Sequence, residues 1–212
     1  MTESIARPRR GRPPKTDRSF DDTREALLRQ GMAVLTEQGF SSAGIDGILR
    51  AVGVPKGSFY HYFANKEAFG LAVLERYDAY FAAKLSRNFQ DADQPPLERL
   101  RRFADEACAG MARHRFRRGC LVGNLGQEVG LLPPSFRNRL GEVFAHWQRL
   151  IAALLREARD CGDLAADADC DALAEYFWIG WEGAVMRARL SADGAPLERF
   201  IELFIAGLPQ NS

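Results

Sequence analysis

A chain of 212 residues, 46% hydrophobic and with a formal net charge of +1, is long enough for one large domain or two small ones and apolar enough to pack a core. No apolar run approaches the roughly 18 residues a membrane span needs, and no apolar segment opens the chain, so we expect no membrane partner, no secretory signal and a cytoplasmic protein. Charge is unevenly divided: residues 1–66 hold 11 Lys/Arg against 7 Asp/Glu, whereas residues 67–212 hold 18 against 21. A basic first third is the electrostatic footprint of a nucleic-acid reader.

Residues 1–20 cluster Arg7, Arg9, Arg10, Arg12, Lys15 and Arg18 among Pro8, Gly11, Pro13 and Pro14, a composition that does not fold alone. Arg9, Arg10 and Arg12 suit an extended arm entering a narrow minor groove, although a solubilising tail has the same composition. Asp21, Asp22 and Thr23 supply acidic and capping groups before Leu27, Leu28, Gly31, Met32 and Leu35, which share one helical face ending at Gly39. Ile45, Ile48, Leu49 and Val52 predict a second helix, which Gly53 stops; Val54-Pro55 turns the chain, and Pro55 suits the start of a third. Two short helices joined by a glycine-containing turn form a helix-turn-helix. In that motif the second helix enters the major groove, making Lys56, Gly57, Ser58, Tyr60, His61 and Tyr62 the candidate contacts, while Phe59 and Phe63, four apart, pack inward.

The stretch Gly53-Val-Pro-Lys-Gly-Ser-Phe-Tyr-His-Tyr-Phe-Ala-Asn-Lys-Glu67 resembles the DNA-binding signature of TetR-family transcriptional repressors, with the match running from Gly39-Phe40 to Lys66-Glu67. One departure is Ala43-Gly44, where the family commonly has a threonine opening the second helix; Ser41 or Ser42 is the candidate substitute cap and phosphate contact. The resemblance implies that Lys66, at the start of a long linking helix capped by Asn65, holds phosphate. It also implies a homodimer formed through the last two helices, so that two recognition helices read a palindromic double-stranded operator.

Phe69, Val73, Tyr77, Tyr80, Phe81 and Leu85 run along the linking helix, and Asp91–Pro96 reads as a polar loop. Beyond it three apolar faces recur at helical spacing: Leu100 to Met111, Phe136 to Leu155, and Leu197 to Leu208. We therefore expect an all-α protein: a basic arm over 1–20, a DNA-binding domain over 21–66, and a helical ligand-binding and dimerisation bundle over 67–208. Residues 173–190 are apolar nearly all round, with Gly180, Ala184 and Ala188 four apart, which suggests a helix facing both its own core and another subunit.

Cys120 follows Arg117-Arg118-Gly119 and opens a short helix; both features favour a thiolate, although most intracellular cysteines are simply small buried residues. Arg118-Gly-Cys-Leu-Val-Gly-Asn-Leu-Gly-Gln-Glu128 and Trp178-Ile-Gly-Trp-Glu-Gly-Ala184 resemble the branch of the same family whose members respond to acrylate and to N-ethylmaleimide. That resemblance implies a small-molecule inducer, an α,β-unsaturated acid or electrophile, acting at Cys120 by reversible occupancy or by covalent addition. Asn124, Tyr77, Trp147, Trp178 and Glu182 are further candidate pocket groups, Glu182 being equally suited to a structural ion pair. Cys108 reads as core, while Cys161 and Cys170 sit at helix ends open to oxidation. Spacings of 12, 41 and 9 between the four cysteines make no zinc pattern, and no metal or cofactor is expected. His114 and His146 stand in no catalytic motif and no phosphate loop occurs, so an enzyme is not expected. The remaining alternative is an architectural DNA-binding protein without an inducer.

Overall fold

The computed structural model describes residues 19–211. The arm arginines Arg9, Arg10 and Arg12 lie outside the described residues. Among the described residues there are nine α-helices and one 3-10 turn, and no strand.

Helix α1 (Phe20–Gln38) starts at Ser19, whose hydroxyl accepts from the Asp22 amide while Asp22 accepts from the Ser19 amide. This reciprocal capping box satisfies two amides that would otherwise lack partners. Gly39, at φ +81°, turns the chain out of α1. Helix α2 (Ile45–Val52) begins at Gly44 without any side-chain cap. Neither Ser41 nor Ser42 supplies the missing threonine's cap: no side chain bonds the first turn of α2, and the Ser41 amide is turned toward Glu128. Gly53, left-handed at φ +75°, ends α2 and accounts for the glycine there.

Pro55 precedes not an α-helix but a 3-10 turn, Lys56–Ser58, which leads into the four-residue α3 (Phe59–Tyr62). Phe59 and Phe63 are buried against Phe69 of α4 (Lys66–Phe89), at ring-centroid distances of 5.9 and 4.9 Å. Asn65 caps α4 by accepting from the Ala68 amide at 2.7 Å. Gly70 of α4 is needed for close packing, since a Cβ there would come within 2.5 Å of Phe40 and 2.7 Å of Phe136.

The larger bundle comprises the rest of α4 with α5 (Pro96–Arg113), α6 (Leu121–Gln127), α7 (Pro134–Asp160), α8 (Cys170–Ser191) and α9 (Ala195–Ala206). Its centre is aromatic: Phe81, Phe103, Trp147, Phe177, Trp178 and Trp181 pack together, mostly edge-on or tilted, Phe81 and Trp147 at 4.4 Å and Trp147 and Trp178 at 5.1 Å, while Phe177 and Trp181 stack at 5.7 Å. Two charged groups enter this core with partners. Asp78, buried on α4, accepts from Trp147 Nε1 at 2.9 Å and faces His146 and Arg139. Arg99, also buried, pairs with Glu157 and donates to the Phe89 carbonyl. Such pairing avoids the penalty of an unpartnered buried charge.

Helices α8 and α9 pack on each other through Phe177, Phe200 and Phe204, and a Cβ at Gly180 would come within 2.3 Å of Phe200. The Gly180–Ala184–Ala188 row thus faces this chain's own core, Ala184 and Ala188 being buried. The opposite side of α8 carries Tyr176, Ile179, Met186 and Leu190, all exposed, and α9 adds exposed Leu203. No described helix is long and apolar enough to cross a membrane.

Candidate DNA-reading surface and effector cavity

The 3-10 turn and α3 project from the helix-turn-helix with Lys56, Gly57, Tyr60 and His61 exposed and Ser58 and Tyr62 half-buried. Tyr60 is 74% exposed, an unusual position for a large aromatic and one suited to meeting another surface. Tyr62 stacks on Phe20 at 4.8 Å, which ties the end of α3 to the start of α1. Lys56 donates to Asp46 on α2 at 2.7 Å, fixing it beside the turn with its side chain in solvent. Lys66 lies over the Phe40 ring at 4.7 Å, near the Ser41 carbonyl. Lys56, Lys66, Ser42 and the exposed face of α3 therefore belong to one end of the molecule.

A cavity of about 340 Å³ lies between α1, α4, α5 and α8. Its walls include Met32 and Thr36 of α1, Tyr77, Phe81 and Lys84 of α4, Met111 of α5, then Gly119 and Cys120, and Trp181 and Val185 of α8. Cations ring it: Arg29, Lys84, Arg113 and Arg118 all contribute to the lining. Lys84 is only 16% exposed, and burial lowers its pKa against the weaker pull of Glu106, 3.7 Å away. An ammonium held in so little water favours an anionic partner. Sequence reasoning missed Lys84 and the α1 wall, because only the packing of α1 onto α4 brings them beside Cys120.

Cys120 caps α6 and is 7% exposed. The Gly123 backbone, the Tyr77 hydroxyl and the Glu182 carboxylate all bear on its thiol. Tyr77 is itself buried beside Leu121 and Cys120. The thiol is not activated at rest: burial first, then the neighbouring Glu182 charge, pushes its pKa well above the ordinary value. This reverses the lowering expected from Arg117 and Arg118, whose guanidinium groups pair instead with Glu37 on α1. The segment reaches Cys120 through Arg115 and Phe116, both left-handed at φ 51° and 56°.

Glu182 as a residue is half-buried, but its carboxyl end is enclosed against α6, where a Cβ on Gly123 would come within 1.8 Å of it. Burial raises its pKa to about 7. It forms no ion pair among the described residues; its Oε1 and the Trp178 Nε1, one turn earlier on α8, are buried without hydrogen-bond partners. Trp178 and Trp147 sit in the aromatic core and outside the cavity lining. Asn124 also faces away: its amide donates to the Thr36 carbonyl at 2.6 Å and accepts from Arg189 at 2.7 Å. Of the six ligand candidates, the cavity thus gathers Tyr77 and Cys120, with Glu182 immediately behind. Cys170 is buried and Cys108 half-buried, while Cys161 is exposed.

Helix α6 joins the cavity to the DNA-reading end. At its far end Glu128 accepts from the Phe40 and Ser41 amides at 3.2 and 2.9 Å, and Asn124 and Arg189 bind carbonyls at the end of α1. Among the described residues no group of three or more His, Cys, Asp or Glu could hold a metal ion.

Residues 27–73 match the family model for bacterial regulatory proteins of the tetR family, and residues 96–204 match that for the tetracyclin repressor-like C-terminal domain. The chain is 57% identical over 199 residues to the transcriptional regulator AcuR of Cereibacter sphaeroides, covering 93% of this chain and 90% of that one. It is 32% identical over 177 residues to the transcriptional repressor NemR of Escherichia coli K12, covering 84% and 89%. A crystal structure of a TetR regulatory protein from Rhodobacter sphaeroides superposes with a TM-score of 0.85 at 56% identity, covering 88% of this chain and 98% of that one. Regulators of this kind bind operator DNA, typically as dimers. The chain belongs to the tetR family of bacterial regulatory proteins and is a helix-turn-helix transcriptional repressor rather than an enzyme.

Proposed function

We propose that this repressor is a homodimer that grips a palindromic operator through Lys56, Ser58, Tyr60, His61 and Tyr62, and releases it when a small α,β-unsaturated carboxylate such as acrylate, or another electrophile, enters the Cys120 cavity. The observation that carries the reading is a cavity of about 340 Å³ that combines a cysteine with a cationic rim. That volume lies at the small end of ligand sites. The cations suit a carboxylate, and the sulfur suits an activated carbon. Met32 and Thr36 give the occupant a direct contact with α1, so one molecule touches both the effector bundle and the DNA-binding end. The exposed apolar stripe of α8, continued by Leu203, supplies the dimer face.

Release requires the ligand to favour the non-binding arrangement over the binding one. A difference of about 3 kcal/mol weakens operator binding roughly a hundredfold. The test is fluorescence anisotropy on DNA from upstream of the protein's own gene, titrated separately with acrylate and N-ethylmaleimide, with intact mass recorded on each sample. The expected result is release by at least one of the two. Retained binding with both, at saturating concentrations, overturns the inducer class.

A further inference from the structure

We propose that Glu182 is the base that removes the Cys120 thiol proton when an electrophile held in the cavity is attacked. The inference rests on the functional reading above and assigns a catalytic residue to its covalent form.

Three observations converge on Glu182. The Cys120 thiol is enclosed and held un-ionised, so attack on an activated carbon requires a local proton acceptor. The Glu182 carboxylate bears directly on that thiol and is enclosed against the first turn of α6, where a Cβ on Gly123 would come within 1.8 Å of it. Its second oxygen, Oε1, has no hydrogen-bond partner and no cation pairs with it among the described residues, so no structural ion pair accounts for a carboxylate here. The ionisable neighbours facing it are Cys120, before α6, and Tyr77, from α4. Burial holds the Tyr77 hydroxyl well above its ordinary pKa and therefore un-ionised, which leaves Glu182 as the acceptor.

The step balances without an oxidant or reductant. The thiol proton passes to the Glu182 carboxylate as the sulfur lone pair forms a bond to the β-carbon of the unsaturated compound. The carbon–carbon π pair moves toward the carbonyl as an enolate. The enolate α-carbon then takes a proton back from Glu182, which returns to its starting form, and the product is a saturated thioether.

The test is the rate of thioether formation at Cys120 with N-ethylmaleimide, followed by peptide mass mapping from pH 6 to 9, on the intact wild-type protein and on Glu182→Gln. In wild type the rate should climb through about pH 7, where the carboxyl ionises, and then level off. In Glu182→Gln it should fall about a hundredfold at pH 8, the lower range for a general base, and lose the plateau. Operator affinity without electrophile, unchanged in the variant, identifies it as folded. A wild-type rate that rises tenfold per pH unit to pH 9 overturns the proposal without any variant, as does an unaltered profile in Glu182→Gln. A wild-type Cys120 that gains no adduct sinks the covalent reading beneath it instead.

Discussion

Replacing Ile179 and Leu190 together by glutamate should leave the chain folded but monomeric, and should weaken operator binding by a factor of roughly 10² to 10⁴, the range lost when two linked sites become independent. Both side chains point away from this chain's core, at 68% and 75% exposed, so their replacement costs little inside the protomer. In the proposed dimer they would be buried, and each apolar side chain withdrawn from water contributes about 1.5–3 kcal/mol. A carboxylate on each protomer, repeated by two-fold symmetry, sets like charges against one another in an apolar interface. Sedimentation equilibrium with operator anisotropy measures both effects. A double variant that stays dimeric would mean that this stripe is not the interface.

Glu128→Ala should uncouple the cavity from the DNA-reading end. Glu128 holds the Phe40 and Ser41 amides, which carry the chain from α1 toward α2, from the far end of the helix that Cys120 caps. Hydrogen bonds to a charged group contribute about 1.5–3 kcal/mol, less where solvent reaches them as it does here. Allosteric couplings are typically only 1–3 kcal/mol in total. Removing this contact should therefore cut an inducer response of about a hundredfold to below about fivefold, with ligand binding in the cavity intact. Calorimetric binding of the inducer, set beside anisotropy on the operator, separates the two quantities. If Glu128→Ala keeps the full response, the signal travels by α1 or α4 alone.

The helix-turn-helix was readable because its determinants are local. Gly53 is left-handed where a glycine was expected to stop α2, and Phe59 and Phe63 pack inward at the spacing that suggested it. The cap of α2 was less readable, since the direction taken by the Ser41 amide depends on Glu128, 87 residues away. The same limit explains the thiol. Adjacency in sequence put two arginines beside Cys120, but adjacency says nothing of direction, and both turn to Glu37. Asn124 and Trp147 looked like polar and aromatic pocket groups, yet long-range partners, Thr36 with Arg189 and Asp78, engage them elsewhere. The Gly180 row had the spacing of a helix contact, which it makes with Phe200 of its own chain. Lys84 carried no signal at all, because a lysine on a long helix is ordinarily solvated and only the converging walls withdraw it from water.

The central claim, that chemistry at Cys120 controls the grip on DNA, is tested most directly by operator release from Cys120→Ser under N-ethylmaleimide. Serine keeps the side chain's shape at the start of α6 but is a far poorer nucleophile. The variant should bind the operator as wild type does and remain bound at reagent concentrations that release wild type. Parallel release of both proteins would place the response at another residue and contradict the account.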